Sequence, residues 1–223
     1  MNHRRVTLSI YGAGTYLGRE VARFARAMGH RVVAIVDGAL PRKDEPWMHG
    51  IQWVSDSPPG SEPWAEEPPA AIIYCDTALW SGTRRRFEQI LLRRPTELME
   101  AAESLATPPR FVLRSTVRQP LLPSGFTTHH RRAEALLEAT ELPATILRFP
   151  LLYGPDKPDS VAAMMVVRAL GLMTFGDRRH QAFATMRVER AALAALRAAL
   201  EPDISGVLEP DAIARIGDVM IPQ

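Results

Sequence analysis

Residues 6–18 read Val-Thr-Leu-Ser-Ile-Tyr-Gly-Ala-Gly-Thr-Tyr-Leu-Gly, and this stretch decides the fold. Val6, Leu8 and Ile10 recur with period two, which is typical of a strand. Three glycines follow, and residues 19–28 then place apolar side chains at helical spacing. The chain thus runs from a strand through a tight glycine turn into a helix. In this arrangement the first N–H groups of the helix and the positive end of its dipole point at any ligand that lies over the turn. That arrangement favours a pyrophosphate.

A second β-rich run, residues 31–36, ends at Asp37. An acid at this point, roughly 20 residues after the glycine turn, is placed to accept a hydrogen bond from the adenosine ribose of a dinucleotide. The alternative is that the glycines only turn the chain, but the second strand and its acid favour a cofactor site. Asp37 favours NAD, whereas Arg42 and Lys43 leave NADP open because they suit a 2′-phosphate.

Composition limits the classes of function. The 223 residues suffice for one α/β domain with a small lobe attached. With 27 Lys and Arg against 25 Asp and Glu, the net charge of +2 gives no reason to expect nucleic acid or an anionic membrane as a partner. Cys75 is the only cysteine, which excludes an internal disulfide and a cysteine-built metal site. No secretory leader and no apolar run of spanning length is recognised, so we expect a cytoplasmic protein.

The rest of the chain alternates strand and helix patterns, which predicts a doubly wound parallel sheet with right-handed crossovers. Pro95 is expected to kink or divide its helix, and the polar clusters 84–86 and 129–132 are expected to be solvated helix faces. A small lobe on the substrate side is expected from about residues 155–185 and 204–223. Further strands are predicted at 51–54, 70–75, 110–114, 144–149, 182–186 and 204–208, and helices at 82–105, 128–140, 160–172 and 188–200.

Ligands of such sheets bind at the carboxyl ends of the strands. Thr116 ends the fifth predicted strand and therefore lies at this edge. Cys75 ends the fourth, although its simplest interpretation is a small buried residue. The candidate cofactor-contacting residues are Gly12, Gly14, Thr15, Tyr16, Leu17, Gly18, Asp37, Asp56, Cys75 and Pro150.

Several of these stretches together resemble the extended and atypical short-chain dehydrogenase/reductase superfamily, of the NAD-dependent epimerase/dehydratase kind. The resemblance covers nearly the whole chain. It implies a Rossmann fold, a bound NAD or NADP, a small-molecule substrate and a homodimer. It rests on residues 12–18, Asp37, Ser115-Thr116, the segment Arg-Phe-Pro-Leu-Leu-Tyr-Gly-Pro at 148–155, which is the most specific match, and residues 186–191.

The chain departs from the family pattern at functional positions. Thr15 stands where the family has its middle glycine, with Gly14 one position early. The positions of the family's catalytic tyrosine and lysine hold Phe126 and His130, and Leu151 replaces a frequent substrate-binding Asn. In the family the tyrosine phenol exchanges a proton with the substrate, which Phe126 cannot do. Thr116 aligns with the substrate-orienting Ser or Thr.

Three functions therefore compete. The first is an NAD(P)-dependent oxidoreductase or epimerase/dehydratase-like enzyme, in which Thr116 and His130 supply the proton route, since histidine titrates near neutral pH. Against this role, a histidine beside two arginines at a helix start is more often simply solvated. The second is a catalytically inactive dinucleotide-binding sensor or regulator. The third is a scaffold that no longer binds nucleotide.

Overall fold

A seven-stranded parallel sheet forms the centre of the protein in the computed structural model, which describes residues 5–41, 45–55, 67–77, 84–119, 124–154, 164–165 and 184–218. The strands are β1 (Thr7–Tyr11), β2 (Arg31–Val36), β3 (Gln52–Ser55), β4 (Ala71–Tyr74), β5 (Arg110–Thr116), β6 (Ala144–Phe149) and β9 (Gly206–Leu208). Their order in the sheet is β3-β2-β1-β4-β5-β6-β9, so the chain winds outward in both directions from β1. A separate two-stranded parallel sheet is formed by β7 (Leu151–Tyr153) and β8 (Thr185–Arg187).

Helices cover both faces of the sheet. They are α1 (Tyr16–Ala27), α2 (Arg84–Glu88), a π-helical turn (Gln89–Arg93), α3 (Arg94–Glu103), α4 (Ser124–Glu138), α5 (Val188–Leu200) and α6 (Pro210–Gly217), with a short 3₁₀ turn at Pro46–Met48. On one face α1 and α5 pack together over one apolar core, and on the other α3 and α4 cover a second core. This confirms the predicted doubly wound, Rossmann-type architecture.

The helical stretch around Pro95 is divided, as predicted. The break comes just before the proline, where the π turn Gln89–Arg93 joins α2 to α3. Pro95 therefore lies in the first turn of α3, where a missing N–H removes no intrahelical hydrogen bond.

Helix α4 begins at Ser124, earlier than the predicted start at Thr128, and this brings Phe126 and His130 onto one helix face. The prediction that residues 129–132 form a solvated face is wrong for His130, which is only 3% exposed. It is also wrong for Arg131, which contacts the buried Glu134. His130 and Glu134 follow Phe126 at intervals of four, so they share its inward side; Arg132 is exposed.

Several predictions fall wholly or mostly outside the residues that the structure describes, namely those on Arg42, Lys43 and Asp56 and those on most of the 160–172 helix and most of the 155–185 segment. Residues 206–208 pair with β6 at the edge of the main sheet, and α6 packs against α5. Within the described residues, no helix combines the length and apolar character needed to cross a bilayer.

Candidate functional site

The glycine turn between β1 and α1 requires glycine at two positions because of the chain itself. Gly12 has φ +71°, and a Cβ there would lie 2.6 Å from the backbone N and Cα of Asp76 at the end of β4. A Cβ at Gly18 would collide with the carbonyl oxygen of Gly12. Gly12 lets the turn approach the end of the neighbouring strand, and Gly18 lets the first turn of α1 pack directly against the glycine turn.

Gly14 differs from its neighbours, because nothing in the described chain demands a glycine there. A Cβ at this position would meet only the Val36 side chain, at an ordinary 3.6 Å. Gly14 is itself exposed and lies beside the start of α1, whose first N–H groups have no partner within the helix. An exposed glycine next to such N–H groups suits the close approach of a phosphate.

Thr15 occupies the middle-glycine position without strain, since its backbone is extended at φ −75° and ψ 163°. Its hydroxyl donates to the carbonyl oxygen of Gly12 at 2.7 Å and accepts from the Gly18 N–H at 3.2 Å. Thr15 is thus the N-cap of α1. The Cys75 carbonyl oxygen also lies 3.2 Å from this hydroxyl, so the threonine ties the turn to β4.

The side chains of Tyr16 and Leu17 point away from the turn. Leu17 is buried in the core under the sheet. The Tyr16 hydroxyl lies so close to Gly154 that a Cβ at that glycine would collide with it. Contacts from residues 16 and 17 to a ligand over the turn would therefore come from their backbone.

A cavity of about 290 Å³ opens beside the turn, at the carboxyl ends of β2 and β4. Its outer wall includes the π turn, a distortion that often occurs at functional sites. The Tyr74 hydroxyl fixes this wall by donating to the Ile90 carbonyl oxygen at 2.5 Å. The lining residues are Asp37, Tyr74, Asp76, Arg86, Gln89, Ile90 and Arg94.

Asp37 lies at the mouth of this cavity, directly after β2, where the sequence predicts a ribose contact. Its carboxylate accepts a hydrogen bond from Arg86 Nη2 at 3.0 Å, and both side chains are about half exposed, at 50% and 57%. Sequence reasoning missed this partner because 49 residues separate the two. The run 84–86 is interpreted from the sequence only as a solvated face, which holds for the exposed Arg85 and Arg86.

The two remaining strand-end candidates are buried. Cys75 is 1% exposed within the core, and burial raises the pKa of its thiol to about 12. Pro150 is also buried, between β6 and β7. The Cys75 side chain is a packing residue, and its carbonyl oxygen serves the glycine turn.

Thr116 ends β5 and is 6% exposed. Its hydroxyl lies within hydrogen-bond distance of two carbonyl oxygens, those of Val117 at 3.2 Å and Phe149 at 3.3 Å. One proton serves both, so the hydroxyl keeps its lone pairs available to accept a hydrogen bond.

His130 and Phe126 meet edge to face, with ring centres 4.7 Å apart. Phe126 is buried in a small apolar cluster with Phe87, Ile90 and Leu91. Among the described residues, nothing hydrogen-bonds to the buried Nε2 of His130. Burial first, and then the nearby charges of Arg114, Arg131 and His129, lower the pKa of His130 well below its ordinary value. His130 is therefore a neutral imidazole at pH 7.

Arg114 is a second residue that sequence reasoning missed. It follows Leu113, which pairs with Tyr74, so it lies beside the end of β4. Its Nη1 donates to the Asp76 carbonyl oxygen at 3.4 Å. Burial lowers the pKa of Arg114, and the nearby Cys75 and Asp76 oppose that shift. No sequence signal distinguishes this arginine from the others of an arginine-rich chain.

Glu134 organises the frame behind Thr116. This buried carboxylate accepts hydrogen bonds from the Ser115 hydroxyl, from Arg131, and from Arg148 Nη2 at 2.6 Å. Arg148 also donates to Glu209 at 2.7 Å, and hydrogen bonding to the two carboxylates raises the pKa of the guanidinium. Arg131 additionally donates to the Thr116 carbonyl oxygen at 2.8 Å. The network links β5, α4 and β6 to the residue before α6.

The structure thus brings the glycine turn, Asp37 and Cys75 together at the carboxyl edge of the sheet. Thr116 and His130 lie at the same edge, on β5 and the helix that follows it. The described part of the chain contains no cluster of three or more His, Cys, Asp or Glu side chains suited to a metal ion.

Comparison with known proteins gives no match by sequence: no protein-family model and no curated protein matches the chain. Many solved structures match its fold. The Bordetella bronchiseptica enzyme WbmH in complex with NAD⁺ superposes with a TM-score of 0.66 at 18% identity, over 96% of this chain and 80% of that one.

Two further structures show the same likeness. A Bacillus halodurans protein assigned as an NAD-dependent epimerase/dehydratase gives a TM-score of 0.68 at 16% identity, over 96% of this chain and all of that one. The human epimerase family protein SDR39U1 with NADPH gives a TM-score of 0.60 at 17% identity, over 91% of this chain and 72% of that one. At these identities the likeness shows the fold alone, which is the Rossmann-type fold that these structures share with the chain.

Proposed function

We propose that the chain binds NAD or NADP across Gly12–Gly18 and acts as an oxidoreductase or epimerase/dehydratase-like enzyme on a small substrate. The observation that carries the proposal is the exposed Gly14 at the start of α1, a glycine that the chain's own packing does not require, beside the cavity that ends at Asp37. Phosphate oxygens fit over the turn, and the adenosine half fits the cavity, whose 290 Å³ lies near the lower limit of small-molecule sites. The similar structures with NAD⁺ and NADPH support this proposal.

The catalytic half would use the chain's own polar groups at the ends of β5 and α4. A bound nicotinamide supplies hydride transfer. Thr116 would accept a hydrogen bond from the substrate and orient it, while the neutral His130 would accept a proton through its buried Nε2. Because Phe126 has no exchangeable proton, these two residues would replace the acid–base function of a tyrosine. Glu134 and Arg131 would act as positioning residues by fixing the main chain at Thr116.

The second candidate function is a dinucleotide-binding protein without turnover, acting as a sensor or regulator. Two observations favour it: Phe126 lies in an apolar cluster, and His130 has a pKa well below neutrality. A base with a low pKa accepts protons weakly, so the catalytic route is limited even when the cofactor binds.

Cofactor binding is tested by a thermal-shift titration with NAD, NADH, NADP and NADPH. A ligand that binds only the folded state stabilises it by RT ln(1 + [L]/Kd), which is about 2.7 kcal/mol at a ligand concentration of 100 Kd. We expect a shift with at least one oxidised and reduced pair. The absence of any shift would favour the scaffold that no longer binds nucleotide.

The position of the site is tested by Gly14→Ala. Its Cβ fits the chain, so folding should be unchanged, while the closest approach of a phosphate is lost; we expect dinucleotide affinity to fall at least tenfold. Gly125→Ala is the matched control, because a Cβ at that glycine, away from the turn, meets nothing within 4 Å. Equal affinities for the two variants would contradict this placement.

Turnover separates the two functions. With dinucleotide bound, a panel of small hydroxyl and keto compounds would be followed by the absorbance of the reduced nicotinamide. His130→Ala should then slow the reaction and leave dinucleotide affinity nearly intact. Full activity in this variant would remove His130 from the mechanism. A homodimer and a cytoplasmic location complete the proposal, and light scattering of the 24.8 kDa chain and cell fractionation test them.

A further inference from the structure

We propose that Arg114 is a specificity-determining residue, whose guanidinium binds the carboxylate of a small hydroxy or keto acid, so that the substrate of this chain is an organic acid. The inference rests on the proposed function, because it names the substrate class for that same site. The observation behind it is that the guanidinium has hydrogen-bond donors without a partner in the described chain.

One edge of the Arg114 guanidinium is open to a ligand. Nη1 donates to the Asp76 carbonyl oxygen at 3.4 Å, but Nε is buried without a hydrogen bond and Nη2 has no partner among the described residues. No carboxylate in that part of the chain lies within ion-pairing distance of this cation. Nε and Nη2 form a pair of parallel donors, which is the geometry that binds both oxygens of a carboxylate.

An arginine without an acidic partner is unusual so close to a packed core. Both strand neighbours of Arg114 are buried, and Arg114 itself is only partly exposed. Burial lowers the pKa of Arg114, as expected for a cation that lacks a direct counter-ion. Arg131 and Arg148, by contrast, both bind Glu134. A buried donor without an acceptor costs stability, and such groups are characteristic of places where a ligand supplies the acceptor.

The position of Arg114 points to the substrate, and not to the cofactor, as the source of the anion. β4 lies between β1 and β5, so Arg114 is two strand spacings, about 10 Å, from the strand that leads into the glycine turn. Thr116 follows two residues later on β5, so its side chain leaves the same face of the sheet about 6–7 Å away. The charge of Arg114 also contributes to the lowered pKa of His130, so the guanidinium lies near that ring.

These distances define the size of the acid. A carboxylate bound to Arg114 brings a hydroxyl or keto group of the same small molecule toward Thr116 and His130. The acid then presents its reactive group to the residues that would orient it and accept its proton. A substrate without the carboxylate lacks this anchor.

The surrounding charges favour a group with a single negative charge. Asp76 is the nearby negative charge, and it acts on Arg114 from the end of β4. The nearby Cys75 thiol, whose pKa is raised to about 12, is neutral at pH 7. Arg131 is bound to Glu134, so its charge is already compensated. A phosphate, with nearly two negative charges, is repelled by Asp76 more strongly than a carboxylate is.

The experiment measures the binding of lactate and β-hydroxybutyrate, each beside its primary amide, to the full chain by ligand-observed NMR titration. Each amide keeps the hydroxyl of its acid and loses only the charge. The titrations are run without dinucleotide and with the one that gives the largest thermal shift. The variants are Arg114→Gln, Arg114→Lys, which keeps the charge and loses the paired donors, and the matched control Arg118→Gln, an exposed arginine just after β5.

We expect at least one acid to bind the unmodified chain at least tenfold more tightly than its amide. Arg114→Gln should abolish this difference, Arg114→Lys should restore only part of it, and Arg118→Gln should leave it unchanged. Dinucleotide affinity should be the same in all four proteins. The inference is overturned if acid and amide bind alike to the unmodified chain, or if Arg114→Gln weakens the dinucleotide instead of the acid.

Folding gives a second readout that does not depend on a ligand. Because Arg114→Gln removes a cation without an ion-pair partner, its thermal transition should lie no lower than that of the unmodified chain. A clear fall would show that Arg114 serves the chain's own structure at the end of β4, which also overturns the inference. If an acid binds through Arg114 but no dinucleotide binds, the proposed function fails and the carboxylate site stands. If a dinucleotide binds but neither acid does, only this inference fails.

Discussion

His130 is the residue whose surroundings say most about the chemistry available at the candidate site. Its ring is buried against Phe126, and burial together with Arg114, Arg131 and His129 keeps its pKa well below the ordinary value. Because burial keeps the imidazole of His130 neutral at pH 7, this side chain can take up a proton but does not act as a proton-donating imidazolium. A site built on it accepts a proton from the substrate rather than donating one.

This shift also makes stability depend on pH. Below about pH 6.5 the unfolded chain protonates His130 while the folded chain does not, so stability is lost as pH falls from there toward the folded pKa. The loss is at most about 1.4 kcal/mol per pH unit. Urea unfolding at two pH values, one on each side of about 6, gives the free energy of unfolding at each pH. This free energy should change less with pH in His130→Gln than in the unmodified chain. The exposed His49, changed to Gln, is the control, and a slope unaltered by His130→Gln would contradict the burial argument.

Cys75 offers a second test at the scale of one side chain. Burial raises its pKa to about 12, so almost no thiolate exists near neutrality. A thiol reagent at pH 7 should therefore leave the native protein unlabelled and label it fully in urea. Rapid labelling of the native chain would show that the end of β4 is accessible.

Within the glycine turn, the fold requires glycine at position 12 but not at position 14. Gly12→Ala places a side chain at φ +71° and against Asp76, and we expect a loss of more than about 2 kcal/mol in the free energy of unfolding. Gly14→Ala should change it by less than about 0.5 kcal/mol. Denaturant unfolding of both variants measures the difference. Equal losses would mean that Gly14 is structural and carries no information about a ligand.

Helix α4 depends on Glu134 for its attachment to the sheet. Glu134→Ala leaves the partly exposed Arg131 and Arg148 without their shared carboxylate, and losing these charge-assisted hydrogen bonds should cost about 1.5–3 kcal/mol. Glu138→Ala, at an exposed position one turn later on α4, should cost less than about 0.5 kcal/mol. A small effect at Glu134 would show that apolar packing alone holds the helix.

At the scale of the whole molecule, the last part of the chain completes the sheet. β9 pairs with β6, Glu209 binds Arg148, and the Ile204 carbonyl oxygen accepts hydrogen bonds from Thr145 at 2.7 Å and from Arg110. Ile213 of α6 is fully buried in the core, which contributes about 1.5–3 kcal/mol. A chain ending at Glu201 should therefore lose its cooperative thermal transition, because domains are stable by only about 5–15 kcal/mol. Ile213→Ala alone should lower the transition temperature without abolishing it.

The sequence predicts the architecture well because local patterns encode it. β6 and α5 match their predicted bounds of 144–149 and 188–200, since alternation and helical spacing are properties of neighbouring residues. The candidate site is only partly predictable. The positions of Asp37 and the glycine turn follow from local motifs. Long-range contacts do not: Arg86, the partner of Asp37, is 49 residues away from it in sequence, and 14 residues separate Glu134 from Arg148. Which side of α4 is buried depends on packing, so the environment of His130 could not be read from its sequence neighbours.

The ordinary backbone of Thr15 has a consequence for how such turns tolerate mutation. Positions 12 and 18 exclude every side chain, whereas position 15 adopts angles open to most amino acids and gains a helix cap from a hydroxyl. Substitutions at the middle position can accumulate at little structural cost. A search that demands three glycines at fixed spacing will therefore overlook chains that keep the geometry of the turn with two.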